Sequence, residues 1–470
     1  MALQNTQKGA GEIAKLLEGK RRLWMIGIGG VHMSALALWA KGQGFEVGGS
    51  DIGEPPVLER LRAAGIHVQT GADARGMAGY EAVVYTLAIP AGHPEYALAV
   101  REGLPLFSRA DFLGFVMHAY QRRIGIAGAH GKSTVTAMVS EVLLAAGHDP
   151  TVFCGASIAS LGGGFRQGRG EEIVFEACEY ERSFLCFSPT LAVVLNCEHD
   201  HVDCFPTPQQ MCEAFAAFAA LPGEGGVVLA PVTGAWIEDV TKSTRARVYR
   251  FGLEAGDFCA RAVHLEGGFV RCEIEAFGRS CGELRLSVPG EHNLQNALAA
   301  FGSCFLCGVE VNRILPALSA FGGVCRRMEY RGRLCGARVF DDYAHHPSEI
   351  AATLRTLRAT CREGRLFAVF QSHTYSRTAA FLDGIAGALR LADRVLIAPI
   401  FAARESDTKG MSGERIALAV GGVATAHQGL GEIAQALLRE LTPQDTVAVM
   451  GAGDVDGIFA EFSEKDFTSR

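Results

Sequence analysis

The sequence predicts an α/β protein whose domains are built on parallel sheets. Apolar strand-like segments alternate with helical segments along nearly the whole chain, as in repeated β–α–β units. Several of these strands end in glycine turns, and the chain holds 57 glycines. A chain of 470 residues is too long for one hydrophobic core, so about three domains are expected.

The order of the predicted elements divides the chain into domains at 1–118, 119–322 and 323–470. The first is Rossmann-like and begins with the strand and glycine turn LWMIGIGG, which a helix follows. The strand RIGIAGAH restarts the alternation and opens a larger central α/β domain, in which 259–288 is richer in strand-like alternation. The third domain is again Rossmann-like and doubly wound, with the strands ARVFDDYA, RLFAVFQ, DRVLIAPI and DTVAVMGAG.

Composition excludes several classes of protein. The net charge of −7 argues against a nucleic-acid partner, which favours a basic face. No uncharged apolar run reaches the roughly 18 residues of a membrane span, and the polar start of the chain is unlike a secretory signal. The 14 cysteines are scattered among apolar neighbours, which favours reduced core thiols. We therefore expect a cytoplasmic protein with no membrane insertion.

The strongest chemical signal is the segment GIAGAHGKST. An apolar strand ends in a glycine loop, and a helix opens at the lysine, so that backbone N–H groups and the helix start can hold phosphate oxygens. A full Walker loop has glycine six residues before the lysine, where this chain has Ile126, so the match is to a shorter relative. The predicted nucleotide-binding residues are Gly128, Ala129, His130, Gly131, Lys132, Ser133 and Thr134.

Acidic side chains that could hold Mg²⁺ follow two other predicted strands. Glu176 and Glu179 follow EIVF, and the cluster CEHDHVD with Glu198, Asp200 and His201 follows LAVVLN. Ligands gather at the carboxyl ends of parallel strands. Magnesium prefers oxygen, so a histidine ligand is chemically surprising, while zinc lacks a suitable cysteine and histidine spacing. Solvated turn residues are the structural alternative.

The first glycine turn, GIGGVHMS, has two further interpretations. With Asp51 about twenty residues on, it is similar to a dinucleotide fingerprint, but His32 stands where the third glycine belongs. The turn can instead present N–H groups to a diphosphate, or serve only as a structural turn.

Two polar segments of the third domain, VFDDYAHHPSEI and FQSHTYSRT, form a predicted rim at neighbouring strand ends, although Asp341 and Ser348 could be simple caps.

With these motifs in order, the chain resembles the Mur ligase family from about Trp24 to Asp456. The motifs that carry the resemblance are GIGGVHMS, GSD, GAHGKST, FEACEYERSFL, NCEHDHVD, GEHNLQNALAA, DDYAHHPSEI and FQSHTYSRT. The resemblance implies a UDP-binding first domain, a central ATP-binding domain and a last domain for the amino acid. It also implies a reaction in which ATP activates the lactyl carboxylate of UDP-N-acetylmuramate as an acyl phosphate, which L-alanine then attacks.

The same resemblance implies roles for individual residues. Those expected to meet the sugar nucleotide or alanine are Gly27, Gly29, Gly30, His32, Met33, Ser34, Asp51, Tyr343, His345, His373 and Arg377. Beyond the phosphate loop, ATP is expected to meet His292, Asn293, Asn296 and Asp342. The implied magnesium ligands are Ser133, Glu176 and His201. The implied catalytic residues are Lys132, Glu176, His201, Arg327, His345 and Arg377.

Departures from the family pattern and rival functions remain. Ala129 stands where threonine is common, and His32 and Ser372 replace a small residue and a proline. A sister ligase that attaches a tripeptide to the same sugar nucleotide shares the fold and the loop. An NAD-dependent dehydrogenase would leave that loop unexplained, and a non-catalytic nucleotide-binding module would leave the polar strand ends unexplained. Either a monomer or a homodimer is compatible with the sequence.

Overall fold

The computed structural model describes residues 3–266, 269–361, 363–403, 405–407 and 409–469, and its strands form three sheets. The chain separates into two compact units. The first contains the residues up to Glu198, Gln209–Cys259 and Leu298–Ala317. The second contains His199–Pro208, Ala260–Ala297 and the residues from Leu318 onward. The predicted domain limits remain a prediction.

The first sheet lies in the first unit and is parallel throughout, in the order β3-β2-β1-β4-β5. This confirms the predicted Rossmann-like pattern, since apolar runs such as that of β1 are buried. Its strands are β1 Arg22–Ile26, β2 Glu46–Asp51, β3 His67–Thr70, β4 Ala82–Tyr85 and β5 Leu106–Ser108. The accompanying helices are α1 Ala10–Leu17, α2 Val31–Gly42, α3 Val57–Ala63, α4 Pro94–Glu102 and α5 Arg109–Met117.

The second sheet carries the phosphate loop. Its strands are β6 Arg122–Ala127, β7 Thr151–Ile158, β8 Gly163–Arg166, β9 Glu172–Glu176, β10 Leu191–Val194, β11 Val227–Pro231, β12 Arg247–Leu253, β13 Phe258–Glu266, β14 Phe269–Ala276 and β15 Arg279–Leu286. Within the first unit the order is β12-β11-β10-β6-β9-β7-β8, and only β8 runs antiparallel among these seven described strands. In the second unit β14 and β15 form an antiparallel hairpin, which confirms the strand-like alternation.

Helices are interspersed with these strands along the middle stretch of the chain. They are α6 Lys132–Ala145, α7 Pro208–Ala220, α8 Ile237–Thr241, α9 Glu291–Leu306 and α10 Val311–Ala320. The cysteines are free thiols, as predicted, and several of them, such as Cys154 and Cys304, are buried. No helix in the described part of the chain is both long enough and apolar enough to cross a bilayer.

The third sheet lies in the second unit, in the order β20-β19-β18-β21-β17-β16-β22. Its strands are β16 Glu329–Leu334, β17 Ala337–Asp342, β18 Leu366–Phe370, β19 Arg394–Ile397, β20 Ala424–Ala426, β21 Thr446–Met450 and β22 Phe467–Ser469. The accompanying helices are α11 Pro347–Thr360, α12 Tyr375–Leu389, α13 Gly413–Val420 and α14 Leu430–Glu440. The doubly wound part is parallel as predicted, but β16 and β22 extend it with antiparallel pairing that the sequence pattern does not predict.

Candidate active site

The phosphate loop has the strand–loop–helix geometry that the sequence predicts. β6 ends at Ala127, and α6 begins at Lys132. Gly128 and Gly131 have φ of 156° and 84°, values that residues other than glycine rarely adopt. Asn196 holds the loop from the neighbouring strand end, because its amide accepts from and donates to the His130 backbone at 3.1 Å each way.

The ammonium group of Lys132 is held by a buried carboxylate. Its Nζ donates to both carboxylate oxygens of Glu179, at 2.9 and 3.1 Å, and to the Gly128 carbonyl at 2.5 Å. The Glu179 side chain is 1% exposed. Burial works against the charged amine, but the Glu179 carboxylate outweighs it and raises the pKa of Lys132. Lys132 is therefore a fixed positive charge beside the loop.

Glu176 and Ser133 offer two oxygen atoms near the loop. Both side chains are buried, and Glu176 ends β9, whose residue Phe175 pairs with Gly125 of β6. Glu176 Oε1 accepts the Gly155 N–H at 2.6 Å and the Cys154 thiol at 3.1 Å. Among the described residues, nothing hydrogen-bonds to Glu176 Oε2 or to the Ser133 hydroxyl. Two such oxygens suit a hard cation such as Mg²⁺.

The first glycine turn is stabilised from within by Asp51. Its carboxylate accepts the Gly29 N–H at 2.8 Å and the Gly53 N–H at 3.3 Å. Met33 and Ser34 are buried in the first turn of α2, and the Ser34 hydroxyl donates to the Val31 carbonyl. Gly27 has φ of 78°, which a turn this tight requires. The structural role of Asp51 is thus explicit, and its predicted role in substrate binding stays a prediction.

A cationic side chain without a carboxylate partner lies beside this turn. Arg109 is the first residue of α5, and its Nη1 is 3.4 Å from Nδ1 of His32. No carboxylate of the described chain forms an ion pair with Arg109. Burial and the Arg109 charge lower the pKa of His32 to about 4, so this imidazole is neutral at physiological pH. A partly buried cation at a positive helix end is unfavourable unless an anion approaches it.

In the second unit, several predicted rim residues converge on Arg377. Its Nε and Nη2 donate to the two carboxylate oxygens of Asp200 at 2.9 and 3.0 Å, and both side chains are less than a tenth exposed. Burial opposes ionisation of Asp200, but the charges of His201 and Arg377 outweigh it and hold its pKa far below the usual range. His373 and His201 lie 3.3 and 3.4 Å from the guanidinium.

His345 and Tyr343 complete this cluster. His345 Nδ1 lies 2.9 Å from the Tyr343 carbonyl, and burial lowers the pKa of this histidine to about 4. Burial likewise lowers the pKa of His373 to about 4. Arg327 lies over the Tyr343 ring at 5.0 Å from its centroid. The predicted residues Tyr343, His345, His373 and Arg377 are therefore brought together with His201, and Asp200 is the carboxylate that organises them.

The residue that starts α12 is conformationally strained. Thr374 caps this helix with φ of 64° and ψ of 147°, a combination that a β-branched residue rarely adopts. Its hydroxyl accepts from the Arg377 N–H, and its own N–H donates to the Phe401 carbonyl at 2.8 Å. Strain of this kind is typical of functional sites.

The helix start expected to meet ATP is held by its own amides. Asn293 donates to the Pro289 carbonyl at 2.7 Å, and Asn296 donates to the Asn293 side chain at 3.3 Å. Burial lowers the pKa of His292 to about 4. Asp342, at the end of β17, accepts from the Thr353 hydroxyl at 2.6 Å, and burial raises the pKa of this carboxyl to about 6.

Asp341 is a buried acid without a hydrogen bond. Neither carboxylate oxygen has a partner among the described residues, and Arg326 Nε lies 3.6 Å away. Burial raises the pKa of Asp341 to about 7, against 3.8 in an unfolded chain. The unfolded state therefore releases this proton first, so the folded state loses stability as pH rises between those values.

Asp341→Asn should remove this source of pH dependence. The melting temperature of the unsubstituted protein is expected to fall more steeply between about pH 4 and 7 than that of the Asn variant, measured by calorimetry. Asp445→Asn is the matched control, because hydrogen bonds lower the pKa of Asp445 despite its burial. Its contribution to stability therefore changes only below about pH 3.8, and the slope between pH 4 and 7 should match that of the parent. Parallel curves for Asp341→Asn and the parent would contradict the expectation.

The structure shows contacts of three residues that the sequence pattern does not predict. Glu179 is three residues after Glu176, yet it holds Lys132 while Glu176 keeps a free oxygen. Asp200 directly precedes His201 and holds Arg377. Arg109 lies in none of the motifs, and only the structure places it at the start of α5, where a cation is unfavourable.

These features define an α/β nucleotide-binding protein with a phosphate loop on its middle sheet. Three family models match successive parts of the chain: "Mur ligase family, catalytic domain" at 22–121, "Mur ligase middle domain" at 126–304 and "Mur ligase, glutamate ligase domain" at 326–453. The chain belongs to the Mur ligase family, and its three sheets correspond to these three matches.

Individual relatives agree with this assignment over nearly the full length. A UDP-N-acetylmuramate–L-alanine ligase of Caldicellulosiruptor saccharolyticus is 38% identical over 441 residues, covering 93% of this chain and 96% of the relative. The crystal structure of a UDP-N-acetylmuramate-alanine ligase of Thermotoga maritima superposes with a TM-score of 0.79 at 27% identity, covering 94% and 98% of the two chains. A murein peptide ligase of Psychrobacter arcticus gives 0.70 at 25% identity, covering 94% and 97%.

Proposed function

We propose that this chain is an ATP-dependent ligase that joins L-alanine to UDP-N-acetylmuramate in the cytoplasm, during the synthesis of peptidoglycan precursors. The observation that carries the proposal is the charged Lys132 at the start of α6, beside the oxygens of Ser133 and Glu176. Relatives that bear this activity in their names cover more than nine tenths of the chain. The murein peptide ligase is a structural neighbour at lower similarity.

The first half-reaction needs charge compensation, because a carboxylate must attack a phosphate. Lys132 supplies a permanent positive charge, and the N–H groups of the Gly128–Gly131 turn supply donors for phosphate oxygens. Bound Mg²⁺ would be held by Ser133 and Glu176 and would neutralise phosphate charge, while the predicted role of His201 stays a prediction. The lactyl carboxylate becomes an acyl phosphate, and ADP leaves.

The second half-reaction needs an amine that has lost its proton. The lowered pKa of His345 and His373 keeps both imidazoles neutral. The neutral His345 ring can donate from Nδ1 to the Tyr343 carbonyl, which leaves Nε2 as a proton acceptor. Arg377, fixed by Asp200, supplies a cation for the carboxylate of alanine. Attack of the amine on the acyl phosphate then releases phosphate and forms the amide.

Phosphate release tests the proposal directly. The protein is incubated with Mg-ATP and UDP-N-acetylmuramate, and L-alanine, glycine, L-serine or the tripeptide is added separately. Release that depends on both the sugar nucleotide and L-alanine supports the proposal. Release with the tripeptide alone would reassign the chain to the sister ligase, and no release with any acceptor would reject a ligase.

Arg109 is expected to bind an anionic group of the sugar nucleotide, since it lies beside the first glycine turn without a carboxylate partner. Arg109→Met should raise the KM for UDP-N-acetylmuramate about 10- to 100-fold, the loss of one charge-assisted hydrogen bond of about 1.5–3 kcal/mol. Arg109→Lys, which keeps the charge, should lose less. The KM for ATP is the internal control, and an equal rise in both constants would contradict a role specific to the sugar nucleotide.

A further inference from the structure

A buried thiol contacts both residues of the first unit that are expected to hold magnesium. Cys154 is on β7, and the register that pairs Phe153 with Phe175 brings it beside Glu176 at the end of β9. Its Sγ is 3.1 Å from Glu176 Oε1 and 3.8 Å from the Ser133 carbonyl oxygen. The side chain is 1% exposed. The thiol therefore contacts both the strand end and the first turn of α6.

The thiol proton can serve only one of these acceptors at a time. The carboxylate oxygen is nearer by 0.7 Å and carries negative charge, so it is the stronger acceptor. Glu176 Oε1 then receives two donors, the Cys154 thiol and the Gly155 N–H at 2.6 Å. One donor alone would leave the carboxylate free to swing about that hydrogen bond, whereas two donors from different directions fix its plane.

We propose that Cys154 is a positioning residue for the ligase reaction: its thiol fixes the Glu176 carboxylate so that Oε2 is available to Mg²⁺. This inference rests on the proposed function, since it assumes that Glu176 holds the metal that accompanies the nucleotide. Groups that hydrogen-bond to metal ligands are known to orient them, and their loss typically weakens metal affinity 10- to 100-fold. The cysteine acts through Glu176 and does not itself touch substrate.

Metal affinity is measured with Mn²⁺ in place of Mg²⁺, by electron paramagnetic resonance of the full-length protein with a non-hydrolysable ATP analogue. Cys154→Ala should weaken Mn²⁺ binding about tenfold, the lower end of such effects because a thiol is a weak donor. Cys154→Ser, which restores a hydroxyl donor, should stay close to the parent. Cys304→Ala is the matched control, since Cys304 is equally buried but its thiol lies 3.9 Å from the Val139 carbonyl, away from Glu176.

A second pair of variants separates the hydrogen bond from packing. Threonine and valine have the same shape, so Cys154→Thr should bind Mn²⁺ more tightly than Cys154→Val if the donor matters. This comparison also decides the question if Cys154→Ala fails to fold. Equal affinities for the two, or for Cys154→Ala and the parent, would overturn the proposal.

The same measurements distinguish a failure of the proposed ligase function from a failure of the role proposed for Cys154. Glu176→Gln should lose Mn²⁺ binding in the presence of the analogue whether or not Cys154 matters. If the parent protein itself binds no Mn²⁺ with the analogue, the proposed ligase function fails. If the parent binds and Cys154→Ala binds equally well, only the positioning role of Cys154 fails.

Discussion

Lys132→Ala is expected to reduce ATP turnover by about three orders of magnitude or more, because the transferring phosphoryl group loses its fixed positive neighbour. The same substitution removes the Lys132 ammonium from the Glu179 carboxylate, whose side chain is 1% exposed. Breaking a buried ion pair in this way costs about 3–5 kcal/mol of folding free energy. Steady-state phosphate release and chemical unfolding measure the two effects separately.

The double variant Lys132→Ala with Glu179→Gln separates catalysis from folding. Removing the negative charge of Glu179 should recover most of the lost stability, because the neutral amide is far less costly to bury. Turnover should stay as low as in the single variant, since the phosphate still lacks its cation. Recovery of turnover in the double variant, or near-normal turnover in Lys132→Ala, would contradict the role of Lys132.

The second large effect is expected at the buried pair of Asp200 and Arg377. Either single variant, Asp200→Ala or Arg377→Ala, removes one partner of a buried ion pair and should cost about 3–5 kcal/mol in the free energy of unfolding. The double-mutant cycle should show a coupling of up to about 3 kcal/mol. Arg377→Lys should also lose alanine-dependent turnover. Its ammonium group cannot form the two parallel hydrogen bonds that the Arg377 guanidinium donates to the Asp200 carboxylate.

A surface pair with similar geometry is the control for this cycle. Arg62 donates two hydrogen bonds to Glu54, but both side chains are largely exposed. Exposed pairs are screened by water and salt, so a much smaller coupling is expected there than for the buried pair. Equal coupling free energies in the two cycles would contradict the expectation that burial strengthens the interaction between Asp200 and Arg377.

The sequence predicts two kinds of strand: those of β14 and β15, from the alternation of buried and exposed residues, and those that are buried on both faces. β1, β6, β9 and β18 are continuous apolar runs bounded by glycine or polar residues, and all four lie inside parallel sheets. The sequence of β16 is EYRGRL, and its three charged residues interrupt the apolar pattern that would predict a strand. The structure nevertheless shows a strand here, which extends the sheet by antiparallel pairing. A half-exposed strand at such a position keeps too little periodicity to be predicted.

In the candidate site, contacts between residues close in sequence are predictable, and contacts between residues far apart in sequence are not. The phosphate loop is predictable because strand, glycines, lysine and helix are adjacent in sequence. The partner of Arg377 is 177 residues away, so no local pattern identifies it. The different roles of Glu176 and Glu179 depend on the turn that follows β9, in which Glu181 and Arg182 have φ near +50°. Nothing in their side chains predicts that conformation.

The strained Thr374 has a consequence for attempts to make this protein more heat-resistant. A residue held in such a conformation carries about 1–3 kcal/mol of conformational strain. Glycine would relieve that strain, so a stability screen would favour it at this position. Glycine would also remove the hydroxyl that accepts from the Arg377 N–H and would loosen the start of the helix that presents the guanidinium. We therefore expect the more stable variant to have a higher KM for L-alanine, in line with the role proposed for Arg377.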